Sequence, residues 1–83
     1  MSYEIDQRKV IGVLLEANGA IADKGFNHGE VIIGLAELIG RTIVEVAETS
    51  IQSGELMKVA MAHIEKTIRV GAEAQEKRII TAG

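Results

Sequence analysis

From Val31 to Ile39 the chain reads VIIGLAELI, with Glu37 its only charged residue. An amphipathic helix on a protein surface needs an apolar stripe only a little over ~100° wide. Here Val31, Ile32, Ile33, Leu35, Leu38 and Ile39 wrap most of the way round. Two thin neighbouring helices cannot cover that much surface, and a chain of 83 residues has little else to offer. The expected cover is a second copy of the chain.

The totals agree with this reading. Eighty-three residues make one small domain, near the size at which a single core becomes marginal. Disulfides, metals and self-association are the usual remedies. The chain has no Cys, which removes disulfides and thiolate metal sites and is compatible with the cytoplasm. Apolar residues make up 47% but aromatics only 2%, so any core is built from Ile, Val, Leu, Ala and Met. The absence of Pro favours long uninterrupted helices. The opening MSYEIDQRK carries acids before any apolar run, unlike a secretory signal peptide. The longest apolar run, Val31–Ala36, is far short of the ~20 residues needed to span a bilayer.

Periodicity predicts an all-α chain of three helices, over about 4–24, 28–51 and 54–80. In the first, Val10, Leu14, Ala17 and Ile21 repeat at helical spacing, and Lys24-Gly25 reads as its stop. Gly12 and Gly19 each weaken it by about 1 kcal/mol relative to Ala. The second opens on the clearest local signal in the chain: Asn27 as N-cap, Glu30 three residues on, and Phe26 placed to staple onto Val31. Its polar face carries Glu37, Arg41, Glu45 and Glu48. Glu37 reads as part of this solvated stripe, paired with Arg41, rather than as a desolvated carboxylate. Ala36 and Gly40, four apart, permit close approach of another backbone. Ser53 reads as the N-cap of the third helix, with Glu55 in its first turn. Met57, Ala60, Met61, Ile64, Ile68 and Ala72 form that helix's apolar stripe, which thins beyond Val70. Helices 2 and 3 are expected to form an antiparallel hairpin inside a homodimeric helical bundle, with the first helix across the seam. The seam is placed at Val31, Ile32, Leu35, Ala36, Ile39, Gly40 and Ile43.

Chemistry finds little support. His28 and His63 are the only histidines; neither lies in a zinc-helix spacing, and residues two apart, such as His63 and Glu65, do not share a helix face. The nine glycines form no phosphate-binding loop, and no nucleophile elbow is present. We therefore expect no catalytic, metal or cofactor-binding residue, and no enzyme activity. Two function classes stay open. The first is a non-enzymatic accessory or adaptor acting through protein–protein interaction. The exposed pair Ile79-Ile80 beside Lys77 and Arg78 suits that role; the plainer reading of the same residues is a frayed end packing loosely on the dimer. The second is nucleic-acid or nucleotide binding through Lys66, Arg69, Lys77 and Arg78. Against it, residues 1–26, 27–53 and 54–83 carry net charges of −1, −3 and +1, and no Phe, Tyr or Trp lies in the third helix to stack on a base.

The two loops and the middle helix resemble the YejL-like family of small bacterial proteins. The resemblance rests on Leu14-Leu15, Lys24 before the first loop, Ile39-Gly40 in the middle helix and Thr49-Ser50-Ile51 at its end. It covers residues 10–70 and needs about three extra residues between Lys24 and Ile39. The first loop here, Gly25-Phe26-Asn27-His28-Gly29, lacks the proline of that family. The resemblance implies an all-helical homodimer, and it carries over no catalytic or binding residue.

Overall fold

The computed structural model describes residues 4–82, with side chains over 4–77. It is all-helical: α1 spans Gln7–Ile21, α2 His28–Val46 and α3 Ser50–Ala82. The described residues include no strand. Two compact units divide the chain, Met1–Leu38 and Ile39–Gly83.

In the first unit, α1 begins later than its periodicity suggests, because Asp6 caps it. The Arg8 amide donates to Asp6 Oδ1 at 2.9 Å. The Lys9 and Val10 amides reach the Asp6 carbonyl at 3.0 and 3.1 Å. The helix also stops early, at Ile21 rather than Lys24. Ala22 turns to φ −58°, ψ 139°, Asp23 takes φ +60°, and the Lys24 amide closes back onto the Ile21 carbonyl at 3.3 Å. That is the pattern of a type II turn. Lys24 therefore lies in the loop and not in the helix's last turn. Gly25 adopts the left-handed conformation expected of it, at φ +79°. The start of α2 matches the sequence reading atom by atom. The Glu30 amide donates to Asn27 Oδ1 at 2.8 Å, and the Asn27 amide donates to Glu30 Oε1 at 2.9 Å. Phe26, Val31 and Ile21 line one concavity beside this cap, as a staple requires. Ala17, Ile21 and Val31 are half-buried. Leu14, on the same stripe of α1, stays exposed.

The second unit holds the end of α2 and all of α3. Its break falls at Ala47-Glu48-Thr49, earlier than the gap expected between residues 51 and 54. Thr49, not Ser53, is the cap: its Oγ1 accepts from the Gln52 amide at 3.2 Å. The Gln52 side chain returns to accept from the Glu48 amide at 2.7 Å. Ser53 lies inside the helix, its hydroxyl donating to the Thr49 carbonyl at 3.3 Å. Around the break Ile43, Ala47, Leu56 and Ala60 are half-buried. Of the expected stripe of α3 this unit partly covers Ala60, whereas Met57, Met61, Ile64 and Ile68 are exposed. Across both units, no described residue is buried.

Candidate functional site

The broadest chemically uniform surface belongs to α2, and its continuity as one helix sets where each side chain points. At about 100° per residue, Glu30, Glu37, Arg41 and Glu45 share an arc of about 80°. Apart from Thr42 and, in the first turn, His28, apolar residues run from Leu38 round to Val44 through about 240°. Glu37 is exposed, as a member of a solvated stripe should be.

That apolar arc holds two faces. The row Val31, Leu35, Ile39, Ile43 climbs the helix in steps of four. Val31 and Ile43 are half-buried, and Leu35 and Ile39 stand at 36% and 38% exposure. A second face lies about 120° further round. Here Ile33 is 62% and Val44 75% exposed, and Ala36 and Gly40 between them are exposed too. A Cβ placed on Gly40 would meet no atom within 4 Å. Ile32, at 68% exposure, stands on the edge between the two faces. Of the seven residues expected at a seam, Ala36 and Gly40 thus lie on the open face, Val31, Leu35, Ile39 and Ile43 on the partly covered row, and Ile32 at their border. Ile33 and Val44 complete the open face. Helical spacing alone does not separate the rows, because apolar residues occupy both.

The basic residues of α3 form a weaker site. Lys66, Arg69 and Lys77 are exposed, and helical geometry puts them on one side of α3. Glu73 falls on that same side, one turn from Arg69 and one turn from Lys77. The stripe is interrupted by an opposite charge where a phosphate backbone would need it continuous. The side chains of Arg78, Ile79 and Ile80 lie outside the described residues.

The first unit carries concavities of two different linings among its described residues. One, of 380 Å³, is lined by Ile21, Phe26, Glu30, Val31, Gly34 and Leu35. Its single carboxylate is already committed to the α2 cap. The other, of 740 Å³, is lined by Glu4, Ile5, Asp6, Lys9, Val10 and Val13, with Asp6 committed to the α1 cap. No His, Ser or Thr lines either one, so neither sets a hydroxyl nucleophile beside a base. Among the described residues no group of three or more His, Asp or Glu is placed to hold a metal ion. None of the described helices is long and apolar enough to cross a membrane.

No family model, curated protein or solved structure matches this chain.

Proposed function

We propose that this chain is a non-enzymatic helical protein that associates with itself through α2 and acts by protein–protein interaction. One observation carries the reading: no described side chain is buried, and most of the large apolar side chains of α2 (Ile32, Ile33, Leu35, Leu38, Ile39, Val44 and Val46) are exposed. Exposed apolar patches of this kind mark interaction surfaces. Burying one Ile, Leu or Val side chain is worth about 1.5–3 kcal/mol, so a few such residues at a seam offset the cost of association. In the assembly we envisage, α2 and α3 form an antiparallel hairpin, α1 lies across the seam, and the completed bundle is a homodimer. The resemblance to the YejL-like family points the same way. Working location in the cytoplasm is part of the same proposal.

Sedimentation equilibrium at micromolar concentration tests it. The expected mass is twice the 8.9 kDa of one chain. A single compact species of 8.9 kDa overturns the proposal.

A further inference from the structure

We propose that α2 pairs with α2 of a second copy in antiparallel register, through Ile33, Ala36, Gly40 and Val44, with Glu37 of each copy beside Arg41 of the partner subunit. This rests on the reading that copies associate through α2, and adds the face, the direction and the register.

The face follows from exposure. The row Val31 to Ile43 is partly covered within one chain, whereas Ile33 and Val44 keep 62% and 75% of their surface open. Close approach follows from Ala36 and Gly40. Among the described residues, no atom of another part of the chain lies within 4 Å of a Cβ placed on Gly40, yet a helix-interior glycine weakens its helix relative to alanine. A second backbone resting on Ala36 and Gly40 uses that space.

Direction follows from charge. One edge of the open face carries Glu37 and Arg41; the other carries Ile32 and Ile43. An antiparallel two-fold sets like edge against like edge. A parallel one sets the charged edge against the apolar edge, so neither Glu37 nor Arg41 meets an opposite charge on the second copy. The antiparallel register that puts Ile33 opposite Val44 also puts Ala36 within one residue's rise, about 1.5 Å, of Gly40 of the partner subunit. It brings Glu37 level with Arg41 of the partner subunit to within about 1.5 Å, one residue's rise. Symmetry makes that pair twice. The occupant that fits is therefore this chain itself, turned end for end.

The chain has no Cys of its own, so cross-linking reads the register directly. Ile33→Cys and Val44→Cys variants, both checked for helicity, are mixed and oxidised mildly. The mixture should give a heterodimer joining positions 33 and 44, and each variant alone should give little. In this register two copies of position 33 stand about 16 Å apart, beyond the ~7 Å a disulfide spans. Cross-links between two copies of 33, or two of 44, overturn the proposal in favour of a parallel pair. A dimeric mass with no cross-link overturns the face and register while leaving self-association in place. A monomeric mass removes both. A second readout uses charge. Glu37→Arg and Arg41→Glu should each weaken dimerisation about tenfold, and mixing the two should restore it. Pairing within one helix cannot explain such rescue, because each chain still carries like charges four residues apart. Failure of the mixture to recover overturns the charge register.

Discussion

Asp23 and Gly25 both hold positive φ, and they sit two residues apart in the loop that joins α1 to α2. For an L-residue with a Cβ that conformation costs about 1–2 kcal/mol. Asp tolerates it better than most through local hydrogen bonding, whereas Gly has no Cβ to clash. Gly25→Ala should therefore lower stability by about 1–2 kcal/mol, a cost that is purely conformational because a Cβ there meets no atom within 4 Å. Gly12→Ala, inside α1 with equally open space, should raise it by up to ~1 kcal/mol. Urea denaturation of the two variants at one protein concentration checks the opposite signs. Gly25 was legible from its type and place. Asp23 was not, because an Asp near a helix end also suits a solvated last turn, and only the bond from the Lys24 amide to the Ile21 carbonyl picks the turn.

At the scale of the helices, what was readable depended on whether rival signals stood nearby. Asn27 and Glu30 form a box with no competitor within a turn, and the structure closes both of its hydrogen bonds. The second break offers two starts four residues apart: Thr49 with Gln52, and Ser53 with Glu55. The first satisfies two amides, those of Gln52 and Glu48. Choosing it turns Ser53 into an interior residue bonded back to a carbonyl one turn earlier. Thr49→Ala should then cost about 1 kcal/mol, while Ser53→Ala should be neutral or slightly stabilising. Thermal melts followed by circular dichroism separate these outcomes, and the reverse order would restore Ser53 as the cap. The candidate surface shows the same limit. That α2 carries excess apolar residues is plain from VIIGLAELI. Which row is partly covered within the chain does not follow from helical period, because apolar residues occupy both rows.

For the molecule as a whole, the proposed self-association makes stability a function of concentration. If folding is completed by pairing, each tenfold rise in protein should add about 1.4 kcal/mol to the folded dimer. In an assembly of this size that corresponds to about 3–6 °C in Tm. Melts over a hundredfold range of concentration measure it, and a constant Tm would mean that one copy is stable alone. The caps have a consequence for timing. Those at Asp6, Asn27 and Thr49 close hydrogen bonds between residues two to four apart, so each helix can nucleate on its own, in about a microsecond. Meeting another molecule is second order and slows as the solution thins. A freshly made chain would therefore reach its secondary structure almost at once and then wait for company, and how long it waits is set by how strongly the cell expresses it.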